Sequence, residues 1–171
     1  MRQLLFAVLM LTTTLSACGW KHRVKDMSNE EYGRYTSLKV YMTEEQEKAC
    51  LKKKTEEERS AYLKELGLWD RFYKYDEAQR KQIVDGKVEV GWTSDMVLMS
   101  WGLPYDKRML PGRKAERSWM WVYRFEQQPD GSVMVWEKGS KTAYSAVKFF
   151  QREVILDDDH VAELRDKNAS W

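Results

Sequence analysis

The sequence predicts an α+β fold in which helices pack on one face of a small antiparallel sheet of three to four strands. Helix-start patterns are concentrated between residues 43 and 86, whereas aromatic side chains recur with the two-residue period of strands in the C-terminal half. Turn residues separate the strand-like runs, as in a meander. Helices followed by strands indicate a two-layer sandwich, here preceded by extra N-terminal helices.

Three helices are predicted between residues 43 and 86 from three capping-box patterns. In each, a short polar side chain is followed three positions later by Glu or Gln, so that each side chain caps a backbone N–H of the other residue. The patterns begin at Thr43, Thr55 and Asp76. A break is expected near Lys54, and Gly67 is expected to end the second helix because glycine readily adopts the left-handed C-terminal conformation.

A further short helix is predicted between Gly91 and Pro104. Thr93 is a suitable N-cap, and Asp95 follows in the first turn, where the helix dipole favours an acid. Gly102 is expected to end this helix, and the proline two residues later prevents its continuation.

The first strand is predicted from an alternation of side chains. Its two alternating sets are Trp119, Trp121, Tyr123 and Phe125 on one side and Met120, Val122 and Arg124 on the other. One set must face the helices and the other must face outward. The ring-rich set is favoured as core, which leaves Arg124 and its neighbours on the outer face.

Three turn and strand signals follow the first strand. Pro129-Asp130-Gly131 is a turn sequence, and a second strand is predicted from Val133. A third strand is expected over residues 146–156 and a short fourth over residues 161–164. Between them, Asp157-Asp158-Asp159 is interpreted as a hairpin turn, because it lacks the ligand spacing of a calcium-binding loop.

The N-terminus has the pattern of a cleavable export signal. Arg2 supplies a positive charge, residues 4–11 form an apolar run too short to span a bilayer, and small residues precede Cys18. Leu15-Ser16-Ala17-Cys18 resembles the lipobox of bacterial lipoproteins. The resemblance implies a signal peptide over residues 1–17 and a lipid-bearing residue at Cys18, whose thiol carries a diacylglycerol and whose acyl chains include palmitate.

The predicted lipid has consequences for the first mature residues. Residues 18–42 are interpreted as a lipid-anchored tether whose second half docks on the domain. Trp20 and the tyrosines of this tether are second candidates for partner contact. Gly19 follows the cysteine where Asp resembles an inner-membrane retention signal, so the outer membrane is favoured over the inner membrane.

Composition excludes several classes of function. The formal net charge of +2 arises from 29 basic and 27 acidic residues, whereas nucleic-acid binding requires a strongly basic surface. Lipidation of Cys18 would leave Cys50 as the only thiol, so an internal disulfide is excluded, and Cys50 is interpreted as a core residue. With only His22 and His160, no zinc site, cofactor site or catalytic nucleophile is predicted.

A family resemblance covers residues 87 to about 165. Its motif residues are Gly91, Thr93, Val97, Trp101, Gly102 and Pro104. They resemble the Gly-Met-Thr/Ser, Val and Leu-Gly-x-Pro signature of the SmpA/OmlA (BamE-like) family of outer-membrane lipoproteins. Trp121-Val122-Tyr123 matches the strand that follows in that family, whereas Trp92 and Trp101 replace its usual Met and Leu.

The resemblance implies a division of the chain and a function. A helical region over residues 43–86 precedes a BamE-like α+β domain over residues 87–171. The implied function is that of a non-enzymatic accessory or scaffold lipoprotein on the periplasmic face of the outer membrane, with an envelope protein partner in outer-membrane protein assembly. Trp119, Trp121, Tyr123 and Arg124 are its candidate contact residues. The alternative is a module that binds an envelope ligand, peptidoglycan or lipid, for which Trp rings around a pocket are the expected sign.

Overall fold

Helices precede an antiparallel sheet in the computed structural model, which describes residues 21–139 and 145–168. The helices are α1 (Asn29–Leu38), α2 (Glu44–Lys52), α3 (Glu56–Glu65), α4 (Leu68–Tyr73), α5 (Glu77–Val84) and α6 (Ser94–Trp101). The strands are β1 (Asp106–Met109), β2 (Ser118–Gln127), β3 (Val133–Val135), β4 (Lys148–Asp157) and β5 (His160–Asn168). Short 3-10 segments cover Lys21–Asp26 and Lys39–Tyr41. The predicted α+β class is therefore confirmed.

The sheet is organised around β2, which pairs along its length with β4. β5 continues the sheet beyond β4, while β1 and β3 share the other edge of β2. Opposite residues in the central pair include Trp119 and Leu156 at one end and Phe125 and Phe150 towards the other. The sheet has five strands instead of the predicted three to four, because β1 was not predicted.

The helix caps agree with the local sequence patterns. Thr43, Thr55 and Asp76 each accept a hydrogen bond from the backbone three residues on, and the Gln or Glu there returns one. Thr93 accepts a bond from the N–H of Met96, whose side chain has no acceptor strong enough to complete a capping box. These four helix starts were predicted correctly because capping is a local interaction.

α1 belongs to the second half of residues 18–42, the half that is expected to dock on the domain, and it lies within the folded helical layer. Leu38 is fully buried, and Arg34 forms an ion pair with Glu56 of α3 over 2.9 Å between Nη2 and Oε1. Glu31 is also buried and pairs with Arg59. Because these partners come from α3, no local pattern within residues 18–42 indicates them. The N-terminal part of the tether, with Cys18 and Trp20, lies outside the described residues, as does the predicted signal peptide.

The turn between β4 and β5 is a two-residue hairpin, as interpreted from the sequence. Asp158 and Asp159 have φ values of 46° and 72°, the left-handed conformation that tight hairpins require and that Asp tolerates. Asp157 accepts two hydrogen bonds from Arg113, at 2.8 and 2.7 Å, and one from Ser118 at 2.6 Å. Its carboxylate is thus already engaged by protein donors.

The core lies between the helices and one face of the sheet. The sheet residues of this core are Trp121, Tyr123, Phe125, Val154, Leu156 and Val161. They belong to alternate positions of their strands, so the helices cover one face, as predicted. Cys50 is buried in the helical layer, and burial raises the pKa of its thiol to about 11. Among the described residues, no helix is long and apolar enough to cross a membrane.

Candidate functional site

The aromatic side chains of β2 face the helices, and this limits which of them a partner can reach. Tyr123 is 0% exposed and Trp121 is 7% exposed. The prediction that Tyr123 contacts a partner is therefore wrong, because its ring is core and its hydroxyl donates to the carbonyl of Gly102. Trp119 is partly exposed at the end of the strand.

Arg124 lies on the opposite face of the sheet. Its guanidinium carbon is 3.6 Å from the centroid of the Tyr105 ring and 5.9 Å from that of Trp136. The stacking holds Arg124 against the sheet, so it does not join the tryptophans in one surface. The four predicted contact residues are thus divided between a buried core, an accessible strand end and the opposite face.

The motif residues form a structural unit that fixes α6 on the sheet. Gly91 has φ 90° and donates its N–H to Val161 of β5 over 2.8 Å, and Gly102 ends the helix at φ 73°. Val97 is fully buried. Trp101 makes edge contacts with two rings of β2 and donates Nε1–H to the carbonyl of Gly86 over 2.9 Å. The motif therefore explains why α6 packs here, and Pro104 follows at the start of the connection to β1.

An indole groove lies on the helix-facing side of the sheet, near the β4–β5 turn. Its volume is about 370 Å³, and it is lined by Lys107, Arg117, Trp119, Trp121, Leu156 and Asp159. The sheet register places these groups together, since Trp119 lies opposite Leu156 and Trp121 lies opposite Lys107. Two of the predicted contact residues, Trp119 and Trp121, thus meet in one concave site.

The indole groove is bordered by positive charge. The ammonium of Lys107 lies 4.3 Å from the centroid of the Trp121 ring, a cation–π distance. The nearby cations Arg108 and Arg113 form ion pairs with Asp106 and Asp157. Within the described parts of the chain, the two lining cations, Lys107 and Arg117, form no ion pair with a carboxylate. The carboxylate of Asp159 accepts a hydrogen bond from Ser94 at the start of α6.

Sequence reasoning did not identify the indole groove because only its indoles gave a signal. Lys107 belongs to a short exposed strand, and Arg117 and Asp159 lie in turns. Charged residues at such positions are ordinary in any surface sequence. Only the pairing of β1 with β2, and of β2 with β4, brings them to the tryptophans.

Asp95 lies at the centre of a cluster of polar and charged side chains, which the sequence did not predict. Its carboxylate accepts hydrogen bonds from Tyr41 at 2.7 Å and from Arg71 and Lys74 at 2.9 Å each. Burial raises the pKa of Asp95, but the hydrogen bonds from Lys74 and Tyr41 and the charge of Arg71 outweigh burial, so the pKa lies below its ordinary value. Asp95 therefore joins α6 to α4 and to the segment after α1.

Replacing Asp95 with Asn is expected to lower the free energy of unfolding at neutral pH by about 1–2 kcal/mol, because charge-assisted hydrogen bonds are lost. A lowered pKa means that this stability is present above the unfolded value near 3.9 and is lost as the pH falls through the folded value. The difference between wild type and D95N should therefore shrink below about pH 4. Urea unfolding across pH measures it, with the exposed E116Q as control. A constant difference down to pH 2.5 would contradict the role of Asp95.

Groups for metal or catalytic chemistry are sparse in the part of the chain that the structure describes. No cluster of three or more His, Cys, Asp or Glu side chains is placed there to hold a metal ion. His160 lies in the exposed hairpin, with Nδ1 3.1 Å from the carbonyl oxygen of Asp158.

Comparison with protein-family models, with curated proteins and with solved structures finds no match for this chain.

Proposed function

We propose that the chain is a non-enzymatic lipoprotein, anchored on the periplasmic face of the outer membrane through Cys18. It acts as an accessory or scaffold factor in outer-membrane protein assembly and binds a protein of the assembly machinery. The observation that carries the proposal is Leu15-Ser16-Ala17-Cys18 directly after a charged and apolar leader. The helix motif from Thr93 to Gly102 supports the proposal further, because it resembles the signature of the SmpA/OmlA family.

The lipid accounts for membrane attachment in this proposal. The thiol of Cys18 takes the diacylglyceryl group of a phospholipid as a thioether, and the phosphorylated headgroup leaves. Hydrolysis then cleaves the peptide bond before Cys18, and transfer of an acyl chain from a second phospholipid to the new amine adds a third chain. Two or more acyl chains hold a protein stably on a bilayer, whereas one chain gives only marginal, reversible binding. The remaining domain then needs no spanning segment of its own.

Metabolic labelling with an alkyne analogue of palmitate tests the anchor. The wild-type chain should incorporate the label, lose residues 1–17 and fractionate with the outer membrane. C18S should incorporate none and retain its leader, because it has no thiol to accept the lipid. C50S is the matched control and should label like wild type, since Cys50 is buried in the domain. Equal labelling of C18S and wild type would refute the proposal.

The indole groove is the contact surface that fits this function. Indoles are enriched in the energetically dominant centres of protein interfaces, because they bury a large rigid area at a low entropic cost. Trp119 and Trp121 lie next to side chains that remain partly solvated, as in an interface with an apolar centre and a polar rim.

One observation favours a second function, the binding of an envelope ligand. The groove is concave, and its volume of about 370 Å³ lies at the lower end of the range typical of small-molecule sites. Sugar rings stack well on indoles, so peptidoglycan is the preferred ligand in this alternative. Co-sedimentation with purified peptidoglycan, abolished by W119A, would support the alternative over the protein partner.

A further inference from the structure

We propose that the indole groove binds an extended peptide segment in which acidic and apolar side chains alternate. The inference rests on the proposed function, which supplies a protein partner, and specifies the chemistry of the segment that this partner presents. It follows from two features of the groove, the spacing of its apolar floor and the sign of its charge.

The apolar floor has the repeat of an extended chain. Trp119 and Trp121 are two positions apart on one strand, so their rings recur at about 6.5–7 Å. Alternate side chains of an extended peptide recur with the same spacing. Met109 lies opposite Trp119 in the sheet and is 66% exposed, which lengthens the floor towards the β1 edge. A peptide lying along the groove therefore places one apolar side chain over Trp119 and the next over the small part of Trp121 that is exposed, 7% of that residue.

The charge of the groove selects acidic side chains. Lys107 and Arg117 line the groove together with one acid, Asp159. The two cations form no ion pair with a carboxylate of the described chain, whereas Arg108 and Arg113 do. Asp159 accepts a hydrogen bond from Ser94 and keeps its negative charge, so the lining carries two positive charges and one negative charge. Acidic side chains on the ligand would supply the missing counter-charges, and basic ones would be repelled.

A neutral glycan matches only the first of these two features, the apolar floor. Sugar rings would stack on the indoles but would leave Lys107 and Arg117 without counter-charge. An acidic peptide without apolar side chains would pair the cations but leave the exposed parts of Trp119 and Met109 in contact with water. Only a segment with both kinds of side chain satisfies floor and rim together.

Fluorescein-labelled decapeptides test the proposal on the full chain, purified from membranes in detergent. The first probe alternates Glu with Leu, the second Lys with Leu, and the third Glu with Ser. The Glu-Leu probe should bind at least about 10-fold more tightly than either of the others, since each loses one class of contact. Fluorescence anisotropy at two salt concentrations measures this, and the affinity should fall as salt rises.

Substitutions locate the binding. W119A should weaken the Glu-Leu probe by about 10-fold or more, and the double variant K107E/R117E should reverse the preference, so that the Lys-Leu probe binds more tightly. The matched control K52E/K54E makes the same charge change at exposed lysines of the helical layer and should bind like wild type. Thermal unfolding of each variant checks the fold, and K107E/R117E changes only exposed side chains.

Three results would overturn the proposal. These are equal binding of the Glu-Leu and Lys-Leu probes, equal effects of K107E/R117E and K52E/K54E, and saturable binding of soluble peptidoglycan fragments at Trp119 without peptide binding. The proposed function is tested in a separate experiment. It fails if the wild-type chain incorporates no palmitate label at Cys18, and that result does not depend on any peptide measurement.

Discussion

Replacing Arg59 with Met is expected to lower the free energy of unfolding by about 3–5 kcal/mol, because Glu31 would remain buried without a counter-charge. The guanidinium of Arg59 donates from Nε and Nη2 to the two carboxylate oxygens of Glu31, the second over 2.9 Å. The two side chains are 7% and 4% exposed. Nη1 of Arg59 also donates to the carbonyl of Lys53 over 3.1 Å, so the substitution leaves this acceptor unpaired as well.

A double variant separates the effect of the unpaired buried charge from the effect of changing the packing around it. The double variant E31L/R59M should recover most of the lost stability, because two apolar side chains in place of a buried ion pair leave no unpaired charge. The exposed pair of Lys48 with Glu44 is the control, and K48Q should leave the free energy of unfolding almost unchanged, because solvent screens an exposed ion pair. Guanidinium unfolding followed by circular dichroism measures all three. A loss below 1 kcal/mol for R59M would contradict the burial of α1 against α3.

Replacing Trp101 with Ala is the second substitution with a large expected effect, about 3–5 kcal/mol of unfolding free energy. Its ring centroid lies 5.1 Å from that of Tyr123 and 5.1 Å from that of Phe125, with edge geometry in both pairs. Truncation would open a cavity at the centre of the contact between α6 and the sheet. It would also leave the carbonyl of Gly86 without the hydrogen bond from the indole N–H.

Leu at position 101 is the informative intermediate, since it is the residue of the resembled signature. W101L keeps apolar volume but loses the indole N–H, so a smaller loss of about 1–3 kcal/mol is expected. W69A, at a partly exposed ring stacked on Tyr73, is the control and should cost less than W101A. If W69A and W101A cost the same, Trp101 is not the anchor of α6.

The parts of the fold that were predictable from sequence depend on local interactions. The capping pairs at Thr43, Thr55 and Asp76 act within one turn, so their residues alone fix the helix starts. The alternation along β2 likewise reports which side chains share a face. Gly102 ended its helix as expected because few other residues adopt the conformation found there.

The elements that were not predicted depend on contacts distant in sequence. α1 contains charged residues that are buried only because Glu56 and Arg59 of α3 meet them. α4 has six residues, and its N-cap is Gly67, which has no side chain to cap the helix. β1 is four mostly exposed residues, and its pairing with β2 defines it as a strand. Contacts with residues distant in sequence therefore determine whether such segments form a helix or a strand.

The candidate site was predictable in its aromatic half only. The sequence predicts Trp119 and Trp121 as contact residues, and both line the indole groove. Tyr123 was grouped with them by the same period, but α6 covers its position. The cations Lys107 and Arg117 carried no local signal, because a charge on an exposed strand or loop is ordinary until the fold places it beside a ring.

Site-specific photo-crosslinking in living cells tests the central proposal most directly, that this lipoprotein presents the indole groove to an outer-membrane assembly partner. The crosslinker is placed at Met109 on the groove rim, and at Val147 as control. The two positions are 66% and 65% exposed, and Val147 pairs with Gln127 at the far end of β2. A subunit of the barrel-assembly machinery, identified by mass spectrometry, should crosslink from position 109 but not from 147, and C18S should abolish it. Equal crosslinking from both positions, or capture of no assembly subunit from position 109, would contradict the proposal.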